Sequence, residues 1–250
     1  MPAAFRVAVV TPYYREAEEV LRRCHESVLA QTYPCVHIVV ADGHPAAAFD
    51  GADALHVKLP QGNADNGNTP RAIGGLLAES YGFDAVAYLD ADNWYHPDHI
   101  DRLVQEHELT KAPLICSRRT FHDLDGADLN ISEPQEDQYH HIDTSCWIVF
   151  RPAFSLLKAW LMPKQLGPVC DRVFLRKALH ERFEIRAVPD RTVAFRTQYA
   201  FHYELAGREP PPGAKLPDQF EQAKKYLATE EGIAAAVRAL GFFPRNVWPY

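Results

Sequence analysis

Residues 85–95, AVAYLDADNWY, decide the reading of this chain: an apolar run shaped like a buried strand ends directly in two carboxylates, Asp90 and Asp92. Hard cations such as Mg²⁺ or Mn²⁺ are held by one or two carboxylates together with substrate phosphate oxygens. The stretch therefore points to a metal-dependent site for a phosphate-bearing ligand. Taken alone, Asp-x-Asp at a strand end is also ordinary turn chemistry, because Asp and Asn bond their own backbone.

Working outward, the same rhythm recurs. Phe5–Thr11 reads as a buried strand, Ala17, Val20, Leu21, Cys24, Val28 and Leu29 recur at helical spacing, and Val36–Ala41 is a second apolar run closed by Asp42-Gly43. Strand, helix and strand joined by short connections make a βαβ unit with parallel neighbours. Leu55–Leu59 follows as a third strand. The polar loop Gln61–Asn68 then leads to Thr69 as N-cap, Pro70 in the first turn and a helix over Arg71–Ser80. Helix Pro97–Leu109 and strand Leu114–Arg118 complete a five-strand α/β half, with its ligand expected beyond the C-terminal strand ends.

The second half is less regular. An acidic loop spans Asp123–Gln138, and a strand is expected near Ser145–Phe150, followed by helices near Ala153–Leu161 and Pro168–Glu181. Strands near Phe183–Val188 and Thr192–Arg196 and a last helix over about Pro217–Leu240 close the chain.

The totals narrow the class. With 250 residues, 47% hydrophobic and 24% charged, the chain can bury the core of one α/β domain. A net charge of −7 argues against an extended nucleic-acid surface. Five scattered cysteines without a CxxC pair speak against a zinc ribbon or disulfide framework and fit a reducing compartment. No run reaches the roughly 18 apolar residues of a membrane span. A soluble cytoplasmic protein is expected, with peripheral contact at the inner membrane face left open and the oligomeric state undetermined.

Thr11, Asp42, Arg71, Asp90 and Asp92 all fall at strand ends or in a first helical turn, positions that converge on one crevice in a doubly wound sheet. An ionised Asp42 accepts from the ring N–H of uracil or guanine. Arg71 presents a planar fork to a diphosphate at a helix N-terminus. Singly, Asp42-Gly43 is also a simple turn and Arg71 a solvated helix-end arginine.

The stretches VAVVTPYYR, SVLAQTYPCVHIVVADG, NTPRAIGGLLAES and YLDADNWYHPDHI together resemble the nucleotide-binding half of family 2 glycosyltransferases of the GT-A fold, over about the first 120 residues. The resemblance implies a mostly parallel central sheet flanked by helices. It assigns residues 1–120 to nucleotide-sugar binding, 121–215 to the acceptor-binding and catalytic half of the same domain, and 216–250 to a helical appendage. It gives Thr11, Pro12 and Asp42 to the nucleoside, Arg71 to the phosphates, and Asp90 and Asp92 to ribose and Mn²⁺ or Mg²⁺. The family's usual Asp-Asp-Gly-Ser reads here Ala41-Asp42-Gly43-His44, so one polar nucleoside contact is replaced.

Inverting transfer needs a carboxylate to take the acceptor's hydroxyl proton. The resemblance places it at a helix start in the second half, where Gly167-Pro168-Val169-Cys170-Asp171-Arg172 makes Asp171 the expected base. An acid there also simply complements the helix dipole. Glu133, Glu136, Asp137 and Asp143 are its rivals, Asp143 being an expected acceptor-side acid. His202 lies where many such enzymes return a late histidine to the metal, although one of 12 histidines is as readily a packing residue. Trp147, Trp94 and Tyr95 are expected to stack on a sugar or to fill the core.

The expectation is a metal-dependent, inverting, non-processive transfer from a UDP-type sugar donor to a hydroxyl-bearing glycan, lipid-linked or small-molecule acceptor. Processive synthases of the family carry Gln-x-x-Arg-Trp and membrane helices, which this sequence lacks. The alternatives are a sugar-phosphate nucleotidyltransferase, disfavoured because Thr11-Pro12-Tyr13-Tyr14-Arg15 is not a Gly-rich triphosphate loop, and a non-catalytic sugar-nucleotide-binding protein.

Overall fold

The computed structural model describes residues 4–133, 136–216 and 218–248. Strand β1 (Val7–Tyr13) is buried at every position, as expected of a parallel strand covered on both faces. Helix α1 (Glu18–Leu29) buries Leu21, Cys24 and Val28 and leads to β2 (Cys35–Ala41). Then come β3 (Leu55–Lys58), α2 (Asn68–Ser80) and β4 (Ala85–Tyr88), the last entirely buried. Strands β1 and β2, β2 and β3, and β1 and β4 all pair in parallel.

Beyond β4 the sheet changes character. The chain makes β5 (Trp94–Tyr95), α3 (His99–Thr110), β6 (Leu114–His122), β7 (Trp147–Phe150), α4 (Cys170–His180) and β8 (Ile185–Arg196). One eight-stranded sheet results, in the order β3-β2-β1-β4-β7-β6-β8-β5. Strand β6 is therefore not the fifth strand of an uninterrupted parallel half. Four fully buried apolar residues make β7 a central strand, and it inserts antiparallel to both β4 and β6.

Several boundaries differ from the sequence reading, each for a local reason. The two strands expected over 183–196 are the single strand β8, because register shifts in its pairing with β6 between Cys116 and Arg119 absorb the stretch containing Pro189. The helix expected over Ala153–Leu161 is a 3₁₀ segment, Arg151–Trp160. Another, Lys164–Val169, precedes α4, and a short helix α5 (Ala200–Leu205) was not expected. Thr69 is not the N-cap of α2: Gly67 occupies that place at φ 78°, while Asp65 accepts from the Thr69 amide at 2.8 Å and its hydroxyl at 2.6 Å. The last helix is two, α6 (Asp218–Leu227) and α7 (Glu230–Leu240), split where the Thr229 hydroxyl accepts from the Gly232 amide. The expected start at Pro217 lies outside the described residues. Ala223, Leu227, Ala236 and Leu240 join the main core, so this pair is docked against the sheet domain. Among the described residues no helix is long and apolar enough to cross a membrane.

Candidate active site

The C-terminal ends of β1, β2 and β4 open on one cleft of about 1130 Å³, closed on its far side by β6, α4, the 195–215 segment and Phe220. The volume lies at the upper end for small-molecule sites and leaves room for two reactants.

On the wall formed by β1 and β2, Asp42 follows the end of β2. Its carboxylate is pre-set by the Asn63 amide, 3.1 Å from each oxygen, and by Asn63 Nδ2 at 2.6 Å. Pro12 lines the cleft beside it. Thr11 does not: its buried hydroxyl shares a 2.8 Å hydrogen bond with His37 Nε2 behind the sheet end. The Thr-Pro pair therefore offers the cleft its second member, and the first ties β1 to β2.

Arg71, in the first turn of α2, is buried, with both terminal nitrogens engaged and its Nε left without a hydrogen-bond partner. It donates to the Asn66 carbonyl at 2.8 Å, to Asn68 Oδ1 at 3.1 Å and to Asp90 Oδ1 at 2.6 Å. The left-handed turn at Asn66 and Gly67 folds that carbonyl back over the guanidinium. Burial disfavours the Arg71 charge, but Asp90 outweighs it and the pKa rises. Arg71 and Asp90, expected to serve phosphates and metal separately, thus form one ion pair at the cleft floor.

The acids after β4 sit in a turn closed by the Asn93 amide donating to the Asp90 carbonyl at 2.9 Å. Ser145 Oγ accepts from the Asp90 amide and from Asn93 Nδ2 at 3.1 and 3.0 Å. Asp92 is left without such partners: burial and the Asp90 charge push its carboxyl up to about 7. Across the cleft, His202 shares its Nδ1 with the Thr197 hydroxyl at 2.6 Å, while its buried Nε2 has no hydrogen-bond partner. Burial pushes this imidazole down to about 3, aided by Arg119, so it is neutral at physiological pH. A carboxylate that burial disfavours as an anion and a neutral orphan imidazole nitrogen fit a divalent cation. Among the described residues, however, no three His, Cys, Asp or Glu side chains form a cage by themselves.

The opposite wall of the cleft is organised by Arg119 on β6, a residue the sequence reading did not single out because it ended that strand at Arg118. Arg119 is buried and donates to Glu136 Oε1 at 2.8 Å, to Asp143 Oδ2 at 3.0 Å and to Glu133 Oε2. Asp143 also accepts from the Ser145 amide at 2.9 Å. Burial pushes Asp143 up to about 6 despite Arg119, with Asp90 and Asp171 adding repulsion. Asp171, in the first turn of α4, accepts from His141 Nε2 at 2.7 Å. Burial would raise it, but the His141 and Arg172 charges and the hydrogen bonds these residues donate hold it below the usual carboxylate range.

Trp147 is not an acceptor-side platform. Its ring is wholly buried, edge-on to Phe174 at 5.4 Å, because β7 is central. Tyr95 is buried too, and Trp94 carries Arg23 stacked 3.3 Å over its ring. Aromatic lining comes instead from Tyr14, Tyr199, Phe201 and Phe220.

No protein-family model matches the chain. Its sequence is 31% identical over 104 residues to the succinoglycan biosynthesis protein ExoW of Rhizobium meliloti (strain 1021), covering 38% of this chain and 32% of that protein. The chain thus spans about a third of its curated relative's length. In three dimensions it is similar to S. aureus TarS 1–349 in complex with UDP-GlcNAc, with TM-score 0.62 at 14% identity over 92% of this chain and 67% of that one. The complex of the same protein with UDP matches with TM-score 0.60, also at 14% identity, over 92% and 66% of the two chains. A longer TarS structure is matched over 38% of its length and 80% of this chain, with TM-score 0.59 and 15% identity. The likeness to the TarS structures shows the GT-A fold that the sequence resemblance implied, a mixed α/β sheet flanked by helices.

Proposed function

We propose that the chain transfers a sugar, with inversion, from a UDP-type nucleotide sugar to a hydroxyl of an acceptor in polysaccharide biosynthesis. The observation that carries this reading is the meeting of Asp42, the Arg71–Asp90 pair, Asp92, His202 and Asp171 around one cleft, from elements spread over 160 residues of sequence. TarS is described with UDP and UDP-GlcNAc, and ExoW by succinoglycan biosynthesis. The first supports a nucleotide-sugar donor here, and the second a place in polysaccharide biosynthesis.

In this reading Asp42 and Pro12 receive the nucleoside. Asp92 and His202 would hold Mn²⁺ or Mg²⁺, which would supply positive charge to neutralise the departing diphosphate. Arg71 holds the Asp90 carboxylate in place. Asp171, ionised at neutral pH, accepts the acceptor's hydroxyl proton as the oxygen attacks the anomeric carbon.

The test is calorimetric titration with UDP, GDP, dTDP and CDP, with and without Mn²⁺, followed by transfer assays on the wild type and Asp171→Asn. Metal-dependent binding of UDP is expected. The variant should bind UDP as before and lose about 10²–10⁴-fold in kcat. Absence of binding to all four diphosphates by folded protein overturns the reading.

A further inference from the structure

Asp171 does not stand alone at the head of α4. Its Oδ1 accepts from the Arg172 amide at 2.7 Å and its Oδ2 from His141 Nε2 at 2.7 Å. An ionised carboxylate only accepts, so Nε2 carries the hydrogen. The other ring nitrogen, Nδ1, lies 3.5 Å from Glu133 Oε2, an ion-pair distance. That same oxygen pairs with Arg119, which grips Asp143. Asp143 holds the Ser145 amide, and Ser145 Oγ holds the Asp90 amide and Asn93. A chain of polar contacts therefore runs from the turn bearing Asp90 and Asp92 to Asp171, through side chains that are almost wholly buried.

We propose, on the basis of the transferase reading above, that His141 is a positioning residue for the transfer step. It fixes the orientation of the Asp171 carboxylate and, through Glu133 and Arg119, its distance from the donor site. Two observations favour this over a network that only holds the fold. Both residues line the cleft, but the Asp171 side chain keeps 20% of its surface exposed and the His141 side chain 8%, so the carboxylate is the group more open to an acceptor. The imidazole also faces a carboxylate from each side, Asp171 and Glu133, in the arrangement by which histidine orients a partner. Burial disfavours its charge, but Asp171 prevails and the imidazole pKa is raised, with Arg119 opposing. In the step itself the acceptor O–H bond breaks and its proton moves to Asp171. The new C–O bond forms as the bond from the anomeric carbon to the diphosphate breaks, and that electron pair leaves with the diphosphate. The His141 N–H is retained throughout.

A matched pair of variants tests this. The amide nitrogen of Gln reaches as far as Nε2, whereas that of Asn reaches only as far as Nδ1. His141→Asn therefore loses the contact to Asp171, and His141→Gln keeps it. His141→Asn should lose about 100-fold or more in kcat with donor KM and UDP affinity within about twofold of wild type, and His141→Gln should stay within about tenfold. In an Asp171→Asn background, His141→Asn should cost nothing further, because both act on one group. Unfolding midpoints and UDP binding check that each variant is folded. Equal kcat for the Asn and Gln variants, or an undiminished loss in the Asp171→Asn background, overturns the proposal while leaving the transferase reading intact. A wild type that binds no nucleoside diphosphate and transfers nothing overturns that reading and this inference with it.

Discussion

Asp90 and Asp92 are one residue apart and chemically unlike each other. Asp90 has Arg71 at 2.6 Å, whereas Asp92 has burial and a like charge pushing it up to about 7. Without a cation, the folded chain keeps a proton on Asp92 between about pH 4 and 7 that the unfolded chain has released, so folded stability falls as pH rises through that window. Asp143, pushed up to about 6, acts in the same sense over a narrower range. Buried His37, His99 and His202, each pushed down to about 3, act oppositely: the unfolded chain takes up their protons first, so their contribution is lost as pH falls below about 6.5. Replacing Asp92 by Asn isolates its share. In metal-free buffer the wild type should lose more unfolding free energy than Asp92→Asn between pH 5 and 8, by on the order of 1–3 kcal/mol, as read from urea midpoints. Mn²⁺ should restore the wild type at pH 8 and leave the variant unchanged; equal pH slopes without metal would refute the assignment. Sequence marked this residue by its place after an apolar run. It did not show that Arg71 is taken up by Asp90, because that pairing depends on the left-handed turn at Asn66 and Gly67.

Among the elements, α2 is the one whose placement sets the cleft floor, and its seat is made by a residue with no side chain. A Cβ on Gly74 would stand 2.5 Å from Val10 Cγ1 and 3.1 Å from Val40 Cγ2, so the helix rests directly on β1 and β2. Gly74→Ala should cost about 1–3 kcal/mol through overpacking, despite the better helix propensity of Ala. Since Arg71 lies one turn earlier, the same variant should weaken UDP binding by several-fold, measured beside its unfolding midpoint. A stabilised variant with unchanged binding would show that α2 has slack at this contact. Arg119 gives a second case on β6. Arg119→Ala leaves Glu133, Glu136 and Asp143 buried without their shared cation and should cost roughly 3–5 kcal/mol in chemical denaturation. The apolar periods of α1, α2 and β1 to β4 made the first half readable. Arg119 escaped notice because β6 runs on through Arg118, Arg119 and Thr120, a polar stretch that reads as a strand end until its partner carboxylates are known.

Across the whole molecule, one sheet carries both halves, and the inserted antiparallel β7 is where they join. The parallel strands before it present Asp42 and the Asp90–Asp92 turn, the turn leading into it presents Asp143, and the elements after it present Asp171 and His202. Sequence revealed the first set through strand-end placement. It erred on Trp147, because only the strand order shows β7 to be central, and on Thr11, whose hydroxyl turns to His37. It passed over His141, which lies in an irregular acidic segment with no period to read. The joined construction makes a ligand in the cleft a brace between the two halves, so binding should stabilise the entire domain in one transition. At a hundredfold excess over Kd, a ligand bound only by the folded state adds about 2.7 kcal/mol. For a chain of this size that corresponds to a rise of roughly 5–10 °C in Tm. UDP with Mn²⁺ should give this shift as a single cooperative transition, and UDP alone a smaller one. Asp42→Ala should reduce the shift with UDP, since it removes the carboxylate that Asn63 holds at the end of β2. A Tm that UDP with Mn²⁺ leaves unmoved, or that moves equally in Asp42→Ala, would place the nucleoside elsewhere than at the end of β2.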